Sequence, residues 1–391
     1  MALQPAAGAR DLNPGEVESN RRLCELLAAV YRLWGYEEVA PPTIERLDTL
    51  EAGGAIADRE LVRLVADEPL GLRPELTASI ARAAGTRLLD RPRPLRLWAC
   101  GPTFRSSIGE GGGLRISEQL QSGVELLGLA SPAADTELMH LLLAAAATLG
   151  LSPQHQPTLL VGHHGLLDAL LARVPAAQRP AVREALTGFD PLAMAALPLP
   201  AELRQSLTAL LALRGEPAPV LYQLEQWLGP IPLLDSLAST LAGVAPAAAG
   251  MGVRLQLDPT FQPHFDLYDG LVLKLVCQGA EAPVAIASGG RYDALVGRFC
   301  GDRALAAGTG FGFDIGAIRD LLGVGVPPAE ARPWLVACPD AAAMALALER
   351  LAELHGRGEA AELCGGLCAS QAEADSLAAE RGCRGAIWLA A

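Results

Sequence analysis

Apolar residues recur along this chain in two rhythms, one of period near 3.6 and one of period two or of short solid runs. Their order lays out the elements. Residues 15–36, GEVESNRRLCELLAAVYRLWGY, place apolar side chains at helical spacing, with Glu16 and Glu18 in the first turn, where they complement the helix dipole. In the following EEVAPPTIERL, Pro41 and Pro42 impose an extended or edge conformation. The runs LRLWACGPTFR (95–105) and SGVELLGL (122–129), bounded by glycine, predict buried strands. Residues 131–151 predict a helix opened by Ser131 as cap and Pro132 in its first position. TLLVGHHG (158–165) predicts a strand running into a turn.

Residues 166–250 change character. They are alanine- and leucine-rich helical segments broken by Pro191, Pro198, Pro200, Pro217, Pro219, Pro230 and Pro232. Strand-like runs resume at 253–258, 271–279 and 283–290, and GTGFGFDIGAIRDLL (308–322) predicts a strand feeding a helix. The proline-rich stretch 324–333 marks a boundary, after which strand and helix alternate to the end. The expected fold is α+β. A largely antiparallel sheet flanked by helices is built from residues 1–165 and 251–325. A helical insertion spans 166–250, and a small α/β domain spans 333–391.

Composition narrows the functional classes. Hydrophobic residues make up 51% of 391 and support folded domains. A formal net charge of −13 lacks the cationic face that gripping a phosphate backbone requires, so no nucleic-acid partner is expected. Of 31 basic residues only Lys274 is a lysine, which reads first as a compositional bias toward arginine. The apolar runs read as too short to span a bilayer and no signal pattern opens the chain; a cytoplasmic protein without a membrane partner is expected. The eight scattered cysteines read as buried thiols, and neither Cys364 with Cys368 nor His163 with His164 has the spacing of a metal site. No metal, cofactor or catalytic residue is assigned.

Several ordered motifs carry a family resemblance. GARDLNPGE, GYEEVAPPTIE, LRPELT, GPTFR, GVELLG and GGRYD occur in the order found in class II aminoacyl-tRNA synthetases, and in the wording of histidyl-tRNA synthetase. Across nearly its whole length the chain most resembles that enzyme's non-synthetase branch, the regulatory subunits of ATP phosphoribosyltransferase. By that resemblance, Glu75, Thr77, Gln121, Glu125, Tyr268 and Tyr292 match the histidine-contacting positions. Their chemistry is apt. Glu75 and Thr77 offer acceptors for a cationic α-amino group, Gln121 an amide for a carboxylate, and Glu125 with the two tyrosines partners for an imidazole. Alternation along QSGVE puts Gln121, Gly123 and Glu125 on one strand face. A plainer reading has Glu75 and Arg73 paired with each other or capping a helix.

Activation of an amino acid by ATP needs positioned cations around the α-phosphate. The resemblance keeps Arg105 and Arg319 at arginine positions of the second and third class motifs, and Arg115 stands near another. These three are candidate anion-binding residues, or partners in local ion pairs. Serine occupies positions 107 and 117 where the family carries glutamate and arginine, and Pro263 stands at the histidine-specific arginine. The segment between Arg105 and Gln121 reads as a lengthened loop. The resemblance therefore implies retained recognition and lost catalysis. It implies a homodimer within a hetero-oligomer, the short-form catalytic subunit of ATP phosphoribosyltransferase as partner, and histidine as effector. An active histidine–tRNA ligase and a stand-alone histidine-binding module are the competing readings.

Overall fold

The computed structural model describes residues 4–52, 57–109, 112–262, 267–302, 305–323 and 332–390. Pro263 and most of the 324–333 linker lie outside them. In chain order the first elements are α1 (Pro14–Leu33), β1 (Glu37–Glu38), β2 (Ile44–Arg46), α2 (Leu47–Ala52), β3 (Val62–Leu64), β4 (Leu70–Leu72), α3 (Thr77–Gly85), β5 (Leu95–Ile108), β6 (Leu114–Leu127), α4 (Pro132–Thr148) and β7 (Thr158–His163). Six helices follow: α5 (His164–Ala172), α6 (Arg179–Thr187), α7 (Pro191–Ala196), α8 (Ala201–Leu210), α9 (Pro217–Leu228) and α10 (Pro232–Gly250). Then come β8 (Arg254–Leu257), β9 (Leu271–Gln278), β10 (Pro283–Arg291), α11 (Asp293–Phe299), β11 (Gly308–Asp314) and α12 (Ile315–Leu322). The chain ends with β12 (Trp334–Ala337), α13 (Met344–Gly356), β13 (Ala361–Leu363), α14 (Gln371–Glu380) and β14 (Gly385–Trp388).

By packing, the described residues fall into two units, Met1–Asn13 with Ser19–Gly323, and Pro14–Glu18 with Val324–Ala391. The larger holds an eight-stranded sheet ordered β1-β5-β6-β11-β10-β9-β7-β8. Its ladders are antiparallel from β5 through β7, with parallel pairs only at the two edges. Alternation sorts its side chains. Trp98 on β5, Val124 and Leu126 on β6, and Phe311 and Phe313 on β11 point into the main core against Leu27 and Tyr31 of α1 and Leu138 and Leu142 of α4. Tyr31 packs on Trp98 at 5.9 Å and on Phe311 at 6.3 Å between ring centroids. Leu97 and Ala99 point the other way, into a smaller core with α3, α11 and Tyr292. That second face carries the cavity described below.

Ser131 caps α4, its hydroxyl accepting from the Ala133 N–H at 3.2 Å with Pro132 behind it. The segment between Arg105 and Gln121 is not a loop. β5 and β6 pair continuously from Leu95↔Leu127 to Ile108↔Leu114, and Arg105 stands opposite Ser117. The turn is pinned by the Gly109 N–H donating to the Gly113 carbonyl at 2.9 Å. The polar, glycine-rich wording had concealed the strands, because a two-stranded arm outside the core needs no apolar alternation.

Helices α5–α10 fill the stretch after β7, and Val182, Leu186, Leu207, Leu224, Leu237 and Leu241 join the same core as the sheet. α10 corrects one expectation: by length and composition it is apolar enough to cross a membrane. Pro232, read as a break, opens the helix, where proline is tolerated, and Pro246 lies inside it. It packs as a core helix through Leu234, Leu237, Leu241, Val244 and Ala248. The smaller unit is a three-stranded parallel sheet, β13-β12-β14, with helices α13 and α14. Val336 packs with Ala347 and Leu354 of α13, while Ala337 packs with Ala374 and Leu377 of α14.

Candidate functional site

A cavity of about 280 Å³ opens on the second face of the large sheet. Register explains its composition. Glu125 stands opposite Gly310, Gly123 opposite Gly312, and Gln121 opposite Asp314 on β11. Gly310 and Gly312 in turn face Gly290 and Ser288 on β10. All these positions share one parity and hence one face. Glycine at 310 is a spatial requirement, since a Cβ there would collide with the Glu125 carboxylate. The glycines give the floor its width, and long polar side chains rise around it.

Five of the six expected histidine-contacting residues line the cavity: Glu75, Thr77, Gln121, Tyr268 and Tyr292. Glu125, the sixth, sits just behind the wall, buried, and accepts a hydrogen bond from the Tyr292 hydroxyl. Glu75 accepts from the Ala78 N–H at 2.9 Å and from the Thr77 N–H, so it caps α3 as well as lining the cavity. It is not paired with Arg73, whose guanidinium donates to the carbonyls of Pro41 at 2.6 Å and Pro102 at 2.9 Å. Gln121 lines the cavity with its Nε2 donor over Gly312, while its Oε1 is buried without a hydrogen-bond partner.

Burial dominates the electrostatics. It pushes the Glu125 carboxyl up to about 8, against hydrogen bonds from Thr77 and Tyr292 that favour the charged form, with the Glu75 carboxylate adding to the rise. Burial raises Glu75 as well, opposed by the α3 backbone N–H groups and by Arg105. Tyr268 and Tyr292 are both raised, by burial first and then by the Glu125 charge, so they remain phenols that donate or accept as neutral groups.

Of the three candidate anion-binding arginines, Arg105 lines the cavity. Arg319 is buried on α12, its Nε and Nη2 donating to Asp320 at 2.9 and 2.7 Å and its Nη1 to Asn20 of α1 at 3.1 Å. Arg115 is exposed near the far end of the β5–β6 arm, opposite Ser107. Neither borders the cavity among the described residues. The Ser117 hydroxyl donates to the Arg105 carbonyl at 3.3 Å. The cavity also takes residues the sequence had not singled out as its own: Thr103, Gln119, Ser288, Asp314 and Lys274. Lysine in LVLKLVCQ looks like ordinary alternation; only the β9–β10–β11 register brings it to this face.

Among the described residues no group of three or more His, Cys, Asp or Glu is disposed to hold a metal. The adjacent histidines have local tasks. His163 caps α5, its Nδ1 accepting from the Gly165 N–H at 3.0 Å, and His164 Nδ1 lies 2.8 Å from Gln262 Nε2. Cys24 and Cys100 approach to 3.1 Å as free thiols.

Comparison with known proteins places the chain by sequence and fold. The histidyl-tRNA synthetase family profile matches residues 8–318. ATP phosphoribosyltransferase regulatory subunits from Synechococcus sp. (strain RCC307) and Prochlorococcus marinus (strain MIT 9303) are each 53% identical over the full length of both chains. The Bacillus halodurans structure described as an ATP phosphoribosyltransferase regulatory subunit/histidyl-tRNA synthetase superimposes with a TM-score of 0.83 at 26% identity, covering 100% of this chain and 99% of that one. Histidyl-tRNA synthetase from Nostoc sp. PCC 7120 shares the fold, with a TM-score of 0.79 at 18% identity, covering 100% of this chain and 92% of that one. Built on the histidyl-tRNA synthetase fold and half identical along its whole length to these cyanobacterial relatives, the chain belongs to the family of ATP phosphoribosyltransferase regulatory subunits.

Proposed function

We propose that this regulatory subunit senses free histidine in the sheet-face cavity and carries that signal to a short-form catalytic ATP phosphoribosyltransferase. It does so as a homodimer within a hetero-oligomer in the cytoplasm. The observation that carries the reading is the single polar wall in which Glu75, Thr77, Gln121, Tyr268 and Tyr292 meet, with Glu125 locked behind Tyr292. A cavity of about 280 Å³ lies near the lower edge of the roughly 300–1,000 Å³ common for small-molecule sites, a size suited to one amino acid. Of three candidate phosphate-binding arginines only Arg105 faces it, which leaves a triphosphate poorly matched. Histidine then regulates by binding one conformation of the assembly more tightly than another, since only differential affinity moves an equilibrium.

The test is to combine the purified chain with a short-form catalytic subunit and follow phosphoribosyl transfer to ATP with and without histidine. Activation by the chain and inhibition by histidine are expected; absence of both overturns the reading. The competing histidine–tRNA ligase predicts histidine-dependent exchange of pyrophosphate into ATP by this chain alone, and none is expected.

A further inference from the structure

The chain's single lysine stands in the wall of this cavity, and nothing in the family resemblance assigns it a task. Lys274 on β9 pairs with Ser288 on β10, which pairs with Gly312 on β11, which pairs with Gly123 on β6. That row runs between the Glu125–Gly310 row and the Gln121–Asp314 row. Beyond Ser288 the row is glycine, so the floor between Lys274 and the β6 side carries no side chain. Among the described residues the ammonium makes no ion pair, and it rests 5.5 Å from the centroid of the Phe261 ring. The carboxylates nearby are engaged elsewhere. Glu75 holds the α3 N–H groups, Asp314 accepts from the Ala317 N–H at 2.9 Å, and Glu125 holds Tyr292.

An amino-acid zwitterion must have both its charges met when it leaves water. The Thr77 and Tyr268 hydroxyls in the lining offer acceptors to the ammonium end. The carboxylate end needs a cation or a strong donor. We propose that Lys274 grips the α-carboxylate of the bound amino acid, with the Phe261 ring beside its ammonium. This rests on the histidine-sensing reading and adds to it the residue that makes a free amino acid, rather than an imidazole alone, the ligand.

Calorimetric titration of the full chain separates the two. L-histidine, histidinol (which keeps the amine and imidazole but carries a hydroxymethyl group in place of the carboxylate) and ATP are titrated into wild type, Lys274→Met and Lys274→Arg. Methionine removes the charge while keeping an unbranched apolar side chain, and unchanged thermal melting shows that the fold is intact. Lys274→Met is expected to weaken histidine by roughly tenfold to a hundredfold and histidinol by less than about twofold, with Lys274→Arg close to wild type. Equal losses for both ligands, or an unchanged histidine affinity, overturn the assignment. So does loss of ATP binding with histidine unaffected, which would give the lysine to a phosphate. If wild type binds neither histidine nor histidinol, the sensing reading itself falls.

Discussion

Burial holds the Glu125 carboxyl protonated at neutral pH, and that makes the stability of the fold depend on pH in a calculable way. In the folded chain the carboxyl titrates near 8, against 4.5 as an ordinary glutamate. Between those values the folded state holds a proton that the unfolded state has released. Raising the pH therefore favours unfolding, from about 4.5 until the folded carboxyl also ionises near 8. At about 1.4 kcal/mol per pH unit over that interval, ionising Glu125 inside the fold takes about 5 kcal/mol. Glu125→Gln removes the titration but keeps an oxygen for the Tyr292 hydroxyl. Urea unfolding of wild type and variant, at constant ionic strength from pH 5 to 9, isolates the effect as a difference. The two should agree within about 1 kcal/mol at pH 5, and the variant should be more stable by roughly 3–5 kcal/mol at pH 9. Glu75 is also raised, but it is present in both proteins, so its own slope cancels to first order. A difference that stays flat across the range would refute the assignment of Glu125 as a neutral, desolvated acid.

Related outcomes follow from the same contacts. Tyr292→Phe removes a donor that favours the Glu125 anion, so the alkaline end of the stability slope should move above pH 8, read from the same urea series. Glu125→Ala leaves the buried Tyr292 hydroxyl without its acceptor and should weaken histidine binding by roughly 1–3 kcal/mol in calorimetry. Gly310→Ala drives a methyl group into the Glu125 carboxylate, and both the melting temperature and histidine affinity should fall; a variant that melts and binds like wild type would show the floor to be looser than described. Ser131→Ala removes the α4 cap and should cost about 1 kcal/mol of stability by urea unfolding while leaving histidine affinity unchanged.

Much of this architecture was readable from local chemistry. Ser131–Pro132 announced α4, the glycine-bounded runs announced β6 and β11, and the period of two in QSGVE put Gln121 and Glu125 on one face before any coordinates existed. What escaped were facts set by distant partners. Arg319 matches a motif, yet its direction is decided by Asn20, 299 positions earlier in the chain. Gln121 carries both a donor and an acceptor, and only its packing over Gly312 decides which one faces the cavity. Lys274 joins the site through the pairing of β9 with β10 and of β10 with β11, a relation invisible in a single strand. The β5–β6 arm was hidden because its outer half has no core to face, and α10 because Pro232 reads as a break although it opens the helix.

The helices after β7 share one continuous interior with the sheet, through side chains such as Val182, Leu207 and Leu237. They cannot be clipped off as a removable module: excising 166–250 would strip the apolar covering from Leu159, Val161 and Leu257 and leave those strands bare to water. Substitution is expected to be tolerated on what the helices show outward, where a changed surface leaves the interior undisturbed.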